Sequence, residues 1–307
     1  MRILITGGCG FIGSYLVKQL SINHEIISLD HKSYLTVFKE KPKNVKFFKG
    51  ELSNSKTLNQ IFKKKINCVI HLAGILGNVP CTENPSNATH SHIISTEKLC
   101  QKSLENGVEH LIFTSSQAVY STFKERRNPL HEKMIELPDD FYGVLKYGAE
   151  LIIKKSGLNY TIMRLSNVYG FNQNILQKGG AIENFTKSIL SNNDITIFGK
   201  GEQKIDYIHI QDVLSCIICI INNKNSKNEI FNVGAGQNYS VIQLAHILLN
   251  NGKIFTGSNS KIKKIRAPKN KIWPDRLMSI KKSKKILNWN PQITIEEGLK
   301  EIIERRS

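Results

Sequence analysis

The first thirteen residues constrain this chain more than any other stretch. Ile3-Leu-Ile-Thr is an apolar run with room only for a buried strand, and it breaks directly into Gly7-Gly-Cys-Gly-Phe-Ile-Gly13. Ser14–Leu20 follows with apolar residues recurring at helical spacing. Strand, glycine turn and helix in that order are what a dinucleotide phosphate loop needs. Gly7 permits the tight turn, Gly10 lets the backbone approach a pyrophosphate, and Gly13 lets the helix pack close to the sheet. The helix N-terminus then offers unpaired N–H groups and a positive dipole end to the phosphates. A second strand-like run, Glu25–Leu29, ends in Asp30, a carboxylate suited to ribose hydroxyls and hostile to a 2′-phosphate. NAD rather than NADP is therefore expected, although His31 and Lys32 soften the repulsion.

Strand-like and helix-like patterns alternate through the first half, as a doubly wound parallel sheet requires. Strands are expected at Ile3–Thr6, Glu25–Asp30, Val45–Lys49, Cys68–Leu72, His110–Thr114 and Tyr160–Arg164, with helices such as Ser55–Lys64 and Thr96–Asn106 between them. After Gly170 the pattern loosens: a loop to Gly180, strand-like Lys204–Ile210, a helix at Asp212–Ile221, a strand at Glu229–Val233, and helices at Val241–Asn250 and Ile295–Arg305. These patterns predict a Rossmann-type α/β domain over 1–170 with a returning segment at 204–236. A smaller interleaved C-terminal lobe, for the substrate, takes 171–203 and 237–307.

Composition narrows the class. The longest apolar run, Val213–Ile221, is too short for the ~18 residues of a membrane span. No leader peptide is expected, because the first apolar run leads straight into the glycine turn. Six scattered cysteines fit reduced thiols and a cytoplasmic protein. Cys216 and Cys219 form a C-x-x-C inside an apolar helix with no second ligand pair, so packing is expected there and no metal site. The formal charge is +18, yet lysine is spread along the whole chain. Only Lys253–Lys285 is concentrated, with twelve basic residues and Asp275 as its one acid. That stretch suits attraction of a phosphorylated small substrate; nucleic acid is not the expected partner.

Tyr142 and Lys146 stand four residues apart in Phe141-Tyr-Gly-Val-Leu-Lys146, so a helix puts both on one face. A phenol is a poor base at neutral pH, and a nearby ammonium favours its ionised form. Upstream, the His110–Thr114 strand runs into Ser115-Ser116-Gln-Ala-Val-Tyr120, which puts hydroxyls at the carboxyl end of a sheet strand, where open α/β sheets bind ligands. His209 is expected to be structural and His131 solvated.

With these motifs the chain resembles the extended short-chain dehydrogenase/reductases, the NAD-dependent epimerase/dehydratase family that acts on nucleotide sugars. Thr6–Gly13, His71-Leu-Ala-Gly74, Ser115–Tyr120 and Tyr142–Lys146 match it, followed by Arg164-Leu-Ser-Asn-Val-Tyr-Gly170 and Gly199–Gln203 leading to Asp206–Asp212. Asn232-Val-Gly-Ala-Gly236, Leu287–Pro291 and Glu296–Gly298 complete the series in family order. The resemblance implies that Ser116 and Tyr142 bond the sugar oxygen, with Lys146 holding the cofactor ribose and lowering the tyrosine pKa. It implies NAD against Gly7, Gly10, Phe11, Ile12, Gly13, Asp30, Glu51, Leu52, Leu72, Ala73, Gly74, Tyr142 and Lys146. The nucleotide-diphosphate sugar is expected against Ser116, Gln117 and Asn167.

Five positions depart from the family pattern. Glu51 replaces an aspartate, His92 an asparagine, and Ile205 an arginine that commonly binds the diphosphate; Gln117 and Ala118 replace the acidic pair of the 4,6-dehydratases. Isoleucine cannot meet phosphate charge; the resemblance implies an arginine near the Leu287–Pro291 match that reaches the nucleotide phosphates, so Arg276, with Arg266 or Lys204 as a second anchor, is expected to hold the diphosphate. C4 epimerisation through a transient 4-keto sugar is the expected reaction, 4-ketosugar reduction the alternative. A non-enzymatic dinucleotide- or RNA-binding protein is the rival of another class, and it has no use for the serine, tyrosine and lysine together. A homodimer is expected.

Overall fold

Strands buried on both faces read as unbroken apolar runs, and β1 (Arg2–Thr6) and β5 (His110–Ser116) have that character, nearly every residue being buried. The computed structural model describes residues 1–120, 129–173, 180–267 and 275–307. The other strands are β2 (Glu25–Asp30), β3 (Val45–Lys49), β4 (Cys68–His71), β6 (Tyr160–Leu165), β7 (Asn167–Tyr169), β8 (Ile195–Phe198), β9 (Lys204–His209), β10 (Glu229–Val233), β11 (Asn238–Ser240) and β12 (Ile262–Ile265). They form a seven-stranded sheet in the order β10-β6-β5-β4-β1-β2-β3, a three-stranded sheet β11-β9-β7, and a β12-β8 pair. From β3 through β6 every pairing in the large sheet is parallel. This is the Rossmann-type doubly wound sheet that the alternating pattern predicts. Its strand order reverses between β1 and β4, the switch point at which such sheets bind ligands.

The chain divides into two compact units. One comprises Met1–Thr122, Glu132–Leu165 and Ile217–Asn232, the other Phe123–His131, Ser166–Cys216 and Val233–Ser307. The first unit's core joins Leu4, Val69, Leu111 and Ile162 of the sheet to Leu58, Leu99 and Ile153 of the helices. The second unit's core joins Ile195, Ile197 and Tyr207 to Phe185, Leu244, Leu248 and Leu299.

Caps fix several helix starts. Asn54 accepts from the Lys56 and Thr57 N–H groups, and Asp140 from that of Gly143. Ser240 with Gln243, and Thr294 with Glu297, form reciprocal capping boxes. Two elements emerge within the basic stretch, where no pattern predicts them: β12 and the helix Lys281–Leu287. The helix from Val241 runs on to Thr256, beyond the expected Asn250, and Gly257 ends it with φ +66°. Among the described residues no helix is long and apolar enough to cross a membrane.

Candidate active site

The glycine turn is built by close approach. A Cβ on Gly7 would lie 2.9 Å from the Ala73 nitrogen, and one on Gly13 would lie 2.1 Å from the Gly7 carbonyl oxygen. Gly10 caps the helix Phe11–Leu20 without any side-chain hydrogen bond, so the first-turn N–H groups face outward uncapped by a side chain. Phe11 is buried, its ring edge-on to Tyr15 at 5.9 Å, and Ile12 is half-buried. Asp30, at the end of β2, is buried: its Oδ2 accepts from the Cys9 N–H at 2.9 Å and its Oδ1 from the Lys32 N–H at 2.9 Å. Each oxygen keeps a further lone pair for a hydroxyl donor. After β3, Glu51 is exposed and Leu52 buried. After β4, Leu72 and Ala73 return to β1, their N–H groups donating to the Thr6 carbonyl and to Thr6 Oγ1. The structure thus brings Gly7, Gly13, Ala73 and Asp30 to neighbouring ends of β1, β2 and β4.

A buried chain of hydrogen bonds starts at this turn. Thr96 has one hydroxyl proton, and it goes to the His92 carbonyl at 2.5 Å. His71 Nε2 must then donate to Thr96 Oγ1 (3.0 Å), and His71 Nδ1 accepts from Thr6 Oγ1 (2.8 Å). Burial, with the nearby Lys146 charge, pushes the His71 pKa down to about 3, so the imidazole is neutral as this arrangement requires. His92 lies in a π-helical turn, His90–Ile94, and donates from Nε2 to the Ile75 carbonyl at 2.8 Å. Burial lowers its pKa to about 3 as well. Its ring meets that of Tyr142 edge-on at 5.9 Å. Residue types alone give no sign of this chain, since its links lie 4 to 65 positions apart.

Stability should therefore fall in acid. His71, His92 and His110 hold folded pKa values of about 3, 3 and 4 through burial, against 6.5 for the unfolded chain. Below pH 6.5 the unfolded chain takes up protons that the folded one refuses, and the equilibrium shifts toward unfolding. Asp206 acts oppositely, because burial raises it from 3.8 to about 6, but it is one group against three. Thermal unfolding followed from neutral pH down to about 4 should show a steadily falling Tm; a flat or rising Tm contradicts it.

The helix Phe141–Lys155 carries Tyr142, Lys146 and Glu150 on one face, all three buried. Gly143 lets it come close, since a Cβ there would lie 2.2 Å from the Ala118 carbonyl oxygen. The approach brings the Tyr142 hydroxyl into a hydrogen bond with Ser116 at the carboxyl end of β5. Ser116 Oγ also accepts from the Ala118 N–H at 3.1 Å. Burial drives the Tyr142 pKa well above its usual value, opposed by the Ser116 bond. Lys146 donates to the Thr114 carbonyl at 2.8 Å and sits 5.9 Å from the Tyr142 ring centroid. Burial lowers its pKa to about 8, resisted by Glu150. Gln117 and Ala118, next along the chain, are buried and carry no carboxyl group.

Glu150 belongs to a buried ion pair that sequence reasoning missed. Arg164 donates from Nε and a terminal nitrogen to its two oxygens at 3.0 and 2.7 Å, and also to Glu136 at 2.5 Å and the Tyr120 hydroxyl at 3.0 Å. Ser115 Oγ donates to Glu150 at 2.5 Å. The network fastens the helix to β5 and β6.

In the second unit, Asn167 pairs in register with Tyr207, and an isolated parallel bridge joins Arg276 to Ile205. Arg276 N–H donates to the Lys204 carbonyl at 2.8 Å and its own carbonyl accepts from the Asp206 N–H at 2.9 Å. Residues 205 and 207 of one strand face the same way, and so do their lateral partners. Asn167 and Arg276 therefore share a face of the small sheet, with Arg276 directly beside Ile205. Asp206 faces away, and its carboxylate accepts from the N–H groups of Ala235, Gly236 and Met278, which anchors the Arg276 segment. Arg266 is exposed at the end of β12, on the other small sheet. His209 is buried, its Nε2 lying 3.3 Å from Glu301.

A model of the NAD dependent epimerase/dehydratase family matches residues 3–234, three-quarters of the sequence. The chain belongs to that family. A UDP-glucuronate 4-epimerase of Thermodesulfobacterium geofontis is similar to this family member at 31% identity over 98% of this chain and 94% of that one. A dTDP-D-glucose 4,6-dehydratase of Mus musculus is 27% identical over 99% of this chain and 88% of that one. A solved structure of the UDP-glucose 4-epimerase from Thermotoga maritima with UDP-glucose, 29% identical, matches with a TM-score of 0.86 over 100% of this chain and 99% of that one.

As a family member the protein is an NAD-dependent enzyme, and its residues fit the cofactor. The glycine cradle, closed to any Cβ, and the helix start without a side-chain cap suit a pyrophosphate. Asp30 retains acceptors, and Lys146 has two N–H groups beyond the one given to Thr114.

Proposed function

We propose that this protein is a nucleotide-sugar epimerase acting at C4. One observation carries the reading: Tyr142 is bonded to Ser116 at the end of β5, above Lys146, and the turn that follows contains no carboxyl group. When bound, NAD supplies the acceptor and donor for the hydride at C4. Tyr142 takes the proton from the sugar hydroxyl and returns it, Ser116 holds that oxygen, and Lys146 keeps the phenolate accessible by its charge. Because Gln117 and Ala118 are not acids, no group at this turn can protonate a leaving hydroxyl. This disfavours dehydration.

Asn167, Arg276 and secondarily Arg266 are assigned to the nucleotide diphosphate. Arg276 beside Ile205 supplies the cation that position lacks. A cavity of about 480 Å³ in the same unit is lined by Phe198, Lys200 and Gln203, and by Ala267 and Asp275, the neighbours of the two arginines. Arg276→Ala should weaken sugar-nucleotide binding by about 1.5–3 kcal/mol, tenfold or more, and leave NAD affinity unchanged. Calorimetric titration checks this, and unchanged binding would assign the diphosphate to other groups.

Exposed Leu104, Val144 and Leu151, on two helices of the first unit, supply apolar surface for the homodimer that this reading includes. A cytoplasmic location and no nucleic-acid partner complete it. The function is tested by incubation with UDP-, GDP-, CDP- and dTDP-sugars, followed by chromatography and nicotinamide absorbance. A C4 epimer with no net absorbance change is expected. Stoichiometric oxidation of added NADH favours the ketosugar reductase instead, and a 4-keto-6-deoxy product overturns the exclusion of dehydration.

A further inference from the structure

We propose that Asn78 is a positioning residue for Tyr142: from a distant segment of the chain it caps the helix that carries the tyrosine. The proposal rests on the reading that Tyr142 transfers the proton.

The first N–H groups of a helix have no partner within it, and a side chain just ahead of the helix usually supplies one. The helix Phe141–Lys155 relies on such a local cap only in part. Asp140 Oδ1 accepts from the Gly143 N–H at 2.7 Å. The two N–H groups before it, those of Phe141 and Tyr142, both donate to Asn78 Oδ1, at 3.1 and 3.4 Å. Two donors converging on one amide atom mark it as the oxygen. The backbone of the tyrosine is thus held by a residue 64 positions away.

Asn78 is itself placed by the turn that leaves β4. Gly74 and Gly77, with φ of +151° and +87°, bracket this turn, and Asn78 opens the short helix Asn78–Glu83 directly after it. Between the glycines, the Ile75 carbonyl accepts from His92 Nε2 at 2.8 Å and from the Cys81 thiol at 3.7 Å. His92 fills the space at Gly74, where a Cβ would lie 2.6 Å from its Cε1. Cys81 is buried in one cluster with Tyr142, Leu145 and Ala118. The turn is fastened at Ile75 and passes its position to Tyr142 through Asn78. Proton transfer needs the phenol within hydrogen-bond reach of the sugar oxygen, and a misplacement of ~1 Å can cost about 10²-fold in rate. Asn78 is exposed, so losing its bonds leaves the core intact and alters chiefly where the helix start sits.

The test compares the unaltered holoenzyme with Asn78→Leu and Asn78→Asp, using the UDP-sugar that the unaltered protein turns over fastest. Leucine is of similar size and accepts no hydrogen bond. Aspartate keeps the acceptors, and its charge suits a helix N-terminus. In Asn78→Leu, amide hydrogen exchange at Phe141 and Tyr142 should quicken, and kcat should fall at least about tenfold with KM unchanged. Asn78→Asp should restore both slow exchange and kcat. It should also move the acid limb of the pH–rate profile upward, because an added negative charge disfavours the phenolate. The other groups facing Tyr142 are Lys146 of its own helix, Ser116 of β5, Asp140 of the cap, Cys81, and His92, which burial keeps neutral; all are shared by the three proteins. Unchanged kcat in Asn78→Leu overturns the proposal whatever the exchange shows, and Asn78 is then a stabilising cap alone. An Asn78→Asp variant as slow as Asn78→Leu overturns it too. Normal turnover by Tyr142→Phe, or no turnover of any UDP-sugar by the unaltered protein, overturns the proton-transfer reading itself, and the proposal with it.

Discussion

Replacing Tyr142 by phenylalanine should lower turnover by ~10²–10⁴, the usual contribution of a positioned acid–base group. The ring stays, so its edge-on contact with His92 and its packing against Ala118 and Leu145 are kept. Only the titrating hydroxyl and its bond to Ser116 are lost. Folding should be unchanged by circular dichroism, and NAD should still be retained. Ser116→Ala should show a smaller loss, because the phenol remains and only a partner of its oxygen is removed. Near-normal turnover in Tyr142→Phe would assign the proton to another group. The pH profile adds a check: Lys146, at about 8, must stay protonated to favour the phenolate, so activity that depends on it should decline as the ammonium deprotonates.

Arg164→Met should cost about 3–5 kcal/mol of stability, the usual penalty for breaking a buried ion pair from one side. Arg164 and Glu150 are both fully buried, and the substitution leaves Glu150 with a charge met by Ser115, the more distant Lys154 and the longer-range attraction of Lys146. Such a loss is a large fraction of the 5–15 kcal/mol typical of whole domains. The double variant Arg164→Met, Glu150→Met removes both charges and should recover most of it. Urea unfolding midpoints separate the cases. A single variant as stable as the unaltered protein would mean that the pair carries little of the fold. Because Glu150 also opposes the lowering of the Lys146 pKa, the double variant should shift the alkaline limb of the pH–rate profile downward.

The elements with strong periodicity were legible in the residues alone. β2 and β3 run just where the alternation puts them, Glu25–Asp30 and Val45–Lys49: β2 is a buried parallel strand with an apolar run, whereas β3 is the edge strand, with Val45 buried and Phe47 and Phe48 half-buried between exposed lysines. Tyr142 and Lys146 were legible as a pair because helical spacing alone brings them together. What escaped were relationships set by tertiary approach. Nothing local reveals that Gly143 admits the Ala118 carbonyl, that Thr6, His71 and Thr96 form one proton-ordered chain, or that Arg164 finds Glu150. β12 and the helix Lys281–Leu287 escaped for another reason: lysine dominates both, and their few apolar residues find partners only through packing. The missing arginine at Ile205 was legible as an absence. Its neighbour across the bridge, Arg276, comes from a segment 71 positions away, anchored by Asp206, and no periodicity connects the two.

The central claim, that the hydride removed from C4 returns to the same carbon on its other face, is tested most directly with a UDP-hexose deuterated at C4. The sugar nucleotide is incubated with the protein in ordinary water without added reduced nucleotide, and the product is resolved by chromatography and read by NMR. The account predicts the C4 epimer with deuterium still at C4 and no accumulation of NADH. Product that has lost the label at C4, or a ketosugar with matching NADH formation, would contradict it.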